Sequence, residues 1–416
     1  MTPRRRLPNQ TNQRRHRPDY WLVILTAVLL SIGLIVVYSI SPGLAAQTGL
    51  ESNYYVNKQL VAVGMGIAAF IICANAPLSW WPRLQKPLII AALATAAAVQ
   101  LFGESSNGAY RWIQIGSISF QAAELIKFAL LIWLAGFLVE RMRGGQLGDK
   151  DKTFKPLLIV LVILGVVVAK LQSDLGSMGV MVAIMAAMVF VAGLPLKRLA
   201  MIGGIILIGT TIAIGSSGYR RDRLQTFLNP TQDCQDAGYQ ACQALIAVGS
   251  GGMFGLGLAR SVQAYGYLPE AANDSIFAIY AEKFGFIGST VLLGLLVAFF
   301  ARLKRIIERA PDDYSRLLVT GILAWLSTQS VINIGAMIGL LPLKGITLPF
   351  ISYGGTSLLF VCGAVGLAFQ ISRYSTYAVA RNTTQKAQKE GKANYENSYD
   401  RRRLRGAYHT AASRRS

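Results

Sequence analysis

The sequence of 416 residues is poor in charge and nearly devoid of histidine. Charged residues make up 15% of the chain and apolar residues 53%, whereas a soluble domain carries about 25% charged residues. This composition excludes a soluble enzyme. The two histidines, His16 and His409, lie near the termini, which excludes a histidine-based catalytic triad, haem ligation or a Cys/His zinc site among the apolar segments. The chain also lacks the G-x-x-x-x-G-K-[ST] motif of P-loop nucleotide hydrolases.

Acidic residues are also scarce, because 41 Lys and Arg stand against 20 Asp and Glu and give a net charge of +21. A basic excess often indicates nucleic-acid binding. Here the basic residues cluster in the two tails and between apolar runs. That pattern is typical of membrane topology signals and of affinity for anionic lipid, so we predict no nucleic-acid partner.

Long apolar runs recur along the whole chain. A helix needs about 20 apolar residues to span a bilayer. Ten segments qualify, although the fourth carries Lys127 and the fifth is short. They are 21–40, 59–76, 87–103, 124–139, 156–169, 175–196, 199–219, 284–301, 317–343 and 345–372. The sequence therefore predicts an all-α polytopic membrane protein with ten transmembrane helices.

Ten spans place both termini on one side, where about three quarters of the Lys and Arg residues also fall. We therefore predict that both tails are cytoplasmic. A cleaved signal peptide is disfavoured, because the first apolar run is longer than the usual stretch of about 7 to 15 residues. The predicted organisation is a basic N-tail (1–19), a membrane domain (20–374) and a basic, disordered C-tail (375–416). A large extracytoplasmic loop (216–274) lies between helices 7 and 8.

The four cysteines fall in two groups. Cys73 and Cys362 lie in predicted spans and are interpreted as packing residues, whereas Cys234 and Cys242 share the large outer loop. Because the outer side of many bacteria is oxidising, a disulfide between Cys234 and Cys242 is predicted.

Ionisable residues at membrane depth are costly, so each is a functional hypothesis by default. One cluster follows Arg111 and Trp112 in the sequence. On a helix beginning near Gln121, the residues Gln121, Glu124 and Lys127 recur every three positions and share a face. Two interpretations stay open: a structural Glu124/Lys127 ion pair directed into the bundle, or a functional group of charges.

Two further clusters lie in the outer loop. Arg220 and Arg223 follow the seventh span, and guanidinium groups suit phosphate oxygens, whether of a substrate or of lipid headgroups. Asp274 stands at the mouth of the eighth span, four residues after Glu270, which is a candidate for substrate contact. Asp274 is either a helix N-cap or a general base. The glycine-rich stretch 249–257 before it permits close backbone approach to a ligand.

Residues 340–357 contain two prolines and three glycines in an apolar setting. This composition predicts a broken or re-entrant segment, which is tolerated at membrane depth only where it is buried or lines a cavity. Lys344 would face that cavity, and Ser352 of the same segment is a further candidate for substrate contact.

The ordered motifs resemble those of the SEDS family, the bacterial shape, elongation, division and sporulation proteins, from about residue 20 to residue 374. They are R-W-I at 111–113, Q-x-x-E-x-x-K at 121–127, Y-R-x-x-R at 219–223, L-P-E-A at 268–271 followed by Asp274, and P-F-I-S-Y-G-G at 349–355. The K-G-I-T-L-P and L-P-E-A forms resemble the division and sporulation members more than the elongation members.

The resemblance implies a ten-span fold and a peptidoglycan glycosyltransferase that polymerises lipid II at the outer leaflet of the bacterial plasma membrane. It also implies a class B penicillin-binding protein as transpeptidase partner, other division proteins, and a place at the division septum. Asp274 matches the family's catalytic carboxylate, and Trp112 and Arg111 match residues needed for activity. The usual histidine and phenylalanine beside that carboxylate are absent here, which leaves open a weakly active or scaffolding form.

In the expected reaction, Asp274 is the base and the displacement inverts the donor sugar. Stabilising charge would come from Arg111, Lys127, Arg220, Arg223 and Lys344, with Glu124 tuning Lys127 or holding a divalent cation (Mg²⁺ or Mn²⁺). No organic cofactor is expected. Other functions left open are a lipid II flippase, a non-catalytic division scaffold, and a role in elongation instead of division.

Overall fold

The computed structural model describes residues 17–106, 109–115, 118–215 and 238–375, with scattered positions before residue 17 and between 216 and 237. Arg220 and Arg223, the tail beyond residue 375 and much of the outer loop lie outside the described residues. Residues His16–Tyr374 form one compact unit, which does not include the terminal segments Met1–Arg15 and Ser375–Ser416.

Helices dominate the described chain. They are α1 (Tyr20–Thr48), α2 (Tyr54–Asn75), α3 (Trp81–Phe102), α4 (Ala122–Arg143), α5 (Lys155–Leu164), α6 (Leu175–Ala192), α7 (Leu196–Gly215), α8 (Tyr239–Ser250), α9 (Ile276–Glu308), α10 (Asp313–Met337) and α11 (Gly355–Ser372). Two π-helical segments, Lys150–Phe154 and Gly165–Leu171, flank α5, and 3₁₀ turns cover Leu78–Trp80 and Gln263–Tyr265. The strands are β1 (Arg14–Arg15), β2 (Glu104–Ser106), β3 (Ala109–Ile115), β4 (Ile118–Gln121) and β5 (Tyr374–Ser375).

Nine helical segments of the described chain are long and apolar enough to cross a membrane. They include the two weakest predicted spans, which fall within Ala122–Arg143 and Lys150–Leu171. The predicted span at 199–219 overlaps α7, which is not among the nine, so the count of ten stays a prediction. The helical class is confirmed, and the chain is a multi-pass membrane protein.

Helices α4, α10 and α11 form the centre of the bundle, with their side chains largely buried. Small residues allow the close contacts there. A methyl group on Gly366 of α11 would lie 2.5 Å from the backbone oxygen of Phe70 on α2. Such close approach of small residues is how helices associate in membranes, where lipid offers no hydrophobic driving force between them.

A small antiparallel sheet, β2–β3–β4, was not predicted from the sequence. Its last strand runs directly into α4, with Gln121 at the N-cap position and Trp112 paired opposite Gln121. The hydroxyl of Thr356 at the start of α11 donates to the carbonyl of Ser119 (2.7 Å). The sheet therefore places Arg111 and Trp112 beside the ends of two central helices.

The two last predicted spans extend too far, because α10 ends at Met337 and α11 begins at Gly355. Residues 338–354 between them form no helix. Pro342 and Pro349 cannot donate the backbone hydrogen bond that a helix needs. The predicted interruption at 340–357 is confirmed as far as residue 354, whereas residues 355–357 belong to α11. It is this irregular segment that meets Asp274.

Helix α9 starts at Ile276, earlier than predicted, and is broken at Gly285, where φ is +67°. The glycine-rich segment at 251–257 closes the break. Leu256 and Gly257 donate to the carbonyls of Glu282 and Lys283 (2.9 and 3.0 Å). In return, the amides of residues 286 and 287 donate to the carbonyls of residues 252 and 253 (2.8 and 3.1 Å). At Gly251 and Gly255 the close approach is to the protein's own helix, and a ligand contact by the rest of this stretch stays a prediction.

Candidate active site

Asp274 lies in a tight loop before α9. The amides of Asn273 and Ser275 both donate to the carbonyl of Glu270 (3.0 and 3.1 Å), and the Ser275 hydroxyl donates to the carbonyl of Pro269 (2.9 Å). The N-cap position of α9 is Ser275. Asp274 itself is therefore not the N-cap, which removes one of its two predicted roles.

The carboxylate of Asp274 shares a space with the guanidinium of Arg111. A methyl group built on Gly345 would lie 3.7 Å from Asp274 Oδ2 and 3.8 Å from Arg111 Nη1. Both groups are half-buried, and Gly345 is exposed. A carboxylate and a cation thus both lie beside the exposed backbone of Gly345.

Arg111 is held in place by the chain before α6. Its Nε donates to the carbonyl of Gln172 (3.0 Å) and its Nη2 to the carbonyl of Ser173 (2.8 Å). These bonds use the other two nitrogens. The remaining nitrogen, Nη1, is the one that lies 3.8 Å from a methyl group built on Gly345. A guanidinium fixed in this way is suited to stabilising an anionic group without reorganising.

Lys344 enters the same region from the irregular segment. The nearest side-chain atoms to a methyl group on Gly176, at the start of α6, are those of Ile346 (2.6 Å) and Cβ of Lys344 (3.3 Å). Gly176 therefore allows the segment around Lys344 to lie against the first turn of α6. Gly176 follows closely after Gln172 and Ser173, which bind Arg111. Lys344 and Arg111 therefore contact the same stretch of chain at the start of α6.

Glu124 and Lys127 form a buried ion pair within the bundle. Their Oε1 and Nζ atoms are 2.8 Å apart, and the side chains are 3% and 1% exposed. Lys127 Nζ also donates to Gln329 Oε1 (3.1 Å) and lies 5.1 Å from the ring centre of Trp325. These contacts favour the structural interpretation of the pair over direct contact with a substrate.

The other predicted residues occupy different surroundings. Ser352 is buried, accepts from the amide of Leu348 (2.7 Å) and donates to the carbonyl of Asn273 (2.6 Å), so both bonds are internal. Glu270 is exposed and accepts from the Asn273 side chain. Gln121 is buried and Trp112 half-buried.

Sequence reasoning missed two buried amides on α10. Asn333 Nδ2 donates to the carbonyls of Asp274 and Ile346, both at 2.7 Å. Gln329 Nε2 donates to the carbonyl (2.9 Å) and hydroxyl (3.1 Å) of Thr347. The signal was present: polar amides four residues apart share one face of an otherwise apolar helix.

Backbone strain concentrates in the segments that meet here. Among the described residues, three non-glycine residues have a positive φ: Ser173 (51°), Glu270 (52°) and Phe350 (68°). They lie beside the anchor of Arg111, in the Asp274 loop and in the irregular segment. Such conformations persist where surrounding contacts over-determine them, and they cluster at functional sites.

Cys234 and Cys242 are joined by a disulfide. No group of three or more His, Cys, Asp or Glu side chains comes together within the described part of the chain. A divalent cation at the site therefore stays a prediction.

Comparisons with known proteins agree with this architecture. Residues 20–377 match the FtsW/RodA/SpoVE family model, described as a cell cycle protein. Stage V sporulation protein E of Bacillus subtilis is 39% identical over 362 residues, covering 86% of this chain and 98% of the relative. A probable peptidoglycan glycosyltransferase FtsW of Saccharophagus degradans is 38% identical over 361 residues, covering 86% and 92%.

Solved structures resemble the chain at 28% identity. One is from a study of how a peptidoglycan synthase complex coordinates polymerization and crosslinking (TM-score 0.69, covering 86% of this chain and 98% of that one). Another is the rod shape determining protein RodA of Thermus thermophilus (TM-score 0.63, covering 86% and 97%). The chain belongs to the FtsW/RodA/SpoVE family, which is the SEDS family that its motifs resemble.

Proposed function

We propose that this protein is a peptidoglycan glycosyltransferase that polymerises lipid II into β-1,4 glycan strands. The observation that carries the proposal is that the half-buried carboxylate of Asp274 and the fixed guanidinium of Arg111 both lie beside Gly345, 3.7 and 3.8 Å from a methyl group built on it. A base and an anion-stabilising cation beside one exposed position are what a glycosyl transfer from a pyrophosphate donor requires. The printed names of the relatives support the same activity.

In the proposed step, Asp274 accepts the proton of the 4-hydroxyl of the acceptor GlcNAc. The hydroxyl oxygen forms a bond to C1 of the donor MurNAc while the bond from C1 to the undecaprenyl pyrophosphate oxygen breaks. The donor linkage is α and the product linkage is β, so the configuration inverts. An inverting displacement needs one general base, and the pyrophosphate leaves as an anion without an acid.

Arg111 is the residue best placed to stabilise that anion, because its guanidinium is already oriented by two carbonyls. Lys344 is the second candidate, since its backbone adjoins Gly345. Both act by charge and position rather than by forming covalent bonds. Arg220 and Arg223 remain proposed phosphate contacts that lie outside the described residues.

The proposal extends to the cellular setting. We infer that the protein works at the outer leaflet of a bacterial plasma membrane with both termini cytoplasmic, as the distribution of basic residues favours. A class B penicillin-binding protein is the proposed partner, supported by the likeness to a chain of a peptidoglycan synthase complex. Relatives named FtsW and stage V sporulation protein E favour division or sporulation over elongation.

The test is polymerisation of fluorescent lipid II by the purified full-length protein in liposomes, alone and with its class B partner. Glycan strands from wild type and none from a folded Asp274→Asn variant support the enzyme. Equal product from both would contradict the role of Asp274. A partner-bound wild type that makes no glycan would overturn the proposal, and a lipid II translocation assay on the same liposomes would then separate a flippase from a scaffold.

A further inference from the structure

Two side-chain amides on one face of α10 connect three parts of the site. Asn333 and Gln329 are one helical turn apart and are 1% and 0% exposed. Between them they donate to the Asp274 loop and to two consecutive residues of the irregular segment, Ile346 and Thr347. Buried amides are usually hydrogen-bonded in an apolar bundle, and here the acceptors of both NH₂ groups lie in segments without regular structure.

Asn333 acts on the residue that carries the carboxylate. Its Nδ2 donates one hydrogen to the carbonyl of Asp274 and the other to the carbonyl of Ile346, each at 2.7 Å. Ile346 directly follows Gly345, which borders the space between Asp274 and Arg111. A single NH₂ group therefore bridges the residue that carries the carboxylate and the residue next to Gly345, while the bond from Ser352 to the carbonyl of Asn273 joins the same two segments further along.

Gln329 extends the connection to α4. Its Nε2 binds Thr347, while its Oε1 accepts from Lys127 Nζ (3.1 Å) and from Trp325 Nε1 (2.8 Å). The Glu124/Lys127 ion pair thus fixes the orientation of the Gln329 amide. The chain of contacts runs without interruption from Lys127 through Gln329 and the irregular segment to Asn333 and Asp274.

We propose that Asn333 and Gln329 are positioning residues. They hold Asp274 and the segment at 344–347 in the relative positions that the transfer reaction needs. The inference rests on the proposed glycosyltransferase function. It also gives Lys127 a role that needs no contact with substrate, since its ammonium group is buried and acts through Gln329. Neither amide touches the reacting atoms in this account.

The decisive variant is Asn333→Leu, which keeps the branched arrangement of side-chain heavy atoms and removes both donors. Ser330→Ala is the matched control, because Ser330 is buried on the same helix and its hydroxyl donates only to the carbonyl of Leu326 in that helix (2.8 Å). Misplacement of about 1 Å can cost up to a hundredfold in rate. We therefore expect Asn333→Leu to lower kcat for lipid II polymerisation about 10- to 100-fold, with KM changed by less than about twofold.

Amide hydrogen exchange provides a readout independent of activity. With Asn333→Leu we expect the backbone amides of residues 273, 275, 346 and 348 to exchange at least about threefold faster, because loss of the connection favours local opening. Ser330→Ala should leave both kcat and exchange as in wild type. If Asn333→Leu does not fold, Gln329→Glu replaces it, since a carboxylate keeps the acceptor for Lys127 and removes the donor to Thr347.

Wild-type kcat in a folded Asn333→Leu variant would overturn the proposal, as would faster exchange confined to α10 itself. A fall in kcat with unchanged exchange in both segments would also contradict it, because the effect would not run through their positions. If wild type makes no glycan at all, the proposed function fails separately. Hydrogen exchange then tests by itself whether Asn333 holds the Asp274 loop and the irregular segment together. Faster exchange of both segments in Asn333→Leu supports this role, and unchanged exchange refutes it.

Discussion

Removing the charge of Lys127 tests whether Glu124 and Lys127 form a structural pair in which each charge needs the other, as their geometry indicates. Both side chains are almost fully buried, at 1% and 3% exposure, and their charged atoms are 2.8 Å apart. Lys127→Met leaves the Glu124 carboxylate buried without its partner, which costs about 3 to 5 kcal/mol. Loss of the bond to Gln329 Oε1 adds little, because that oxygen still accepts from Trp325.

Removing both charges should cost far less than removing one. In the double variant Glu124→Leu/Lys127→Met no unpaired charge remains, and apolar replacement of buried pairs is often close to neutral. The matched control is Lys304→Met, which removes a lysine from the exposed Lys304/Glu308 pair on α9, with side chains 73% and 60% exposed. Exposed pairs contribute about 0 to 1 kcal/mol.

The assay is reversible unfolding by denaturant in detergent micelles, completed as a double-mutant cycle. We expect Lys127→Met to lose several kcal/mol, the double variant to recover most of it, and Lys304→Met to stay near wild type. A Lys127→Met variant as stable as Lys304→Met would refute the structural account of the pair. Simple additivity of the two single changes would refute it as well.

Three further predictions concern the site and the helix ends. Gly345→Ala should be tolerated, because its methyl group meets Asp274 and Arg111 at ordinary distances. The larger side chain of Gly345→Leu would crowd both groups and should lower the glycan synthesis rate at least about tenfold. Equal glycan synthesis rates for the two variants would contradict the placement of the site. Gly285→Ala should destabilise the protein by about 1 to 3 kcal/mol, because φ is positive there and the methyl group would clash with the backbone of Gly255. In the same unfolding assay Gly294→Ala, which has open space around it, should be neutral or slightly stabilising. Asp19→Ala should cost about 1 to 2 kcal/mol, because Asp19 both caps α1 and binds Arg302 at 2.6 Å; a loss no larger than that of Lys304→Met would count against it.

The spans could be predicted from the sequence because a bilayer imposes one length on every apolar run. The start of α9 could not, since Glu282 and Lys283 interrupt the apolar pattern. Both charges are buried because the outer loop satisfies them: Glu282 accepts from the amides of Val262 and Gln263 (2.8 and 3.2 Å), and Lys283 donates to the carbonyl of Leu258 (2.7 Å). That loop contact is non-local and leaves no period in the sequence.

The candidate site was predictable in its parts and not in its assembly. Asp274, Arg111 and Lys344 stood out as ionisable residues at span ends. Their convergence on Gly345 depends on a hairpin, a loop and an irregular segment that are far apart in sequence. Asn333 and Gln329 were missed because single polar residues scarcely alter the apolarity of a span, and only their partners reveal what they hold.

The most direct test of the central claim compares Asp274→Asn with Glu270→Gln in the same lipid II polymerisation assay. Both changes neutralise a carboxylate in one loop, but Glu270 is exposed, whereas Asp274 is half-buried and lies with Arg111 beside Gly345. We predict that Asp274→Asn, folded and bound to its partner, forms no measurable glycan, while Glu270→Gln keeps most of the wild-type rate. Glycan formation by Asp274→Asn at the rate of Glu270→Gln would contradict the assignment of Asp274 as the base.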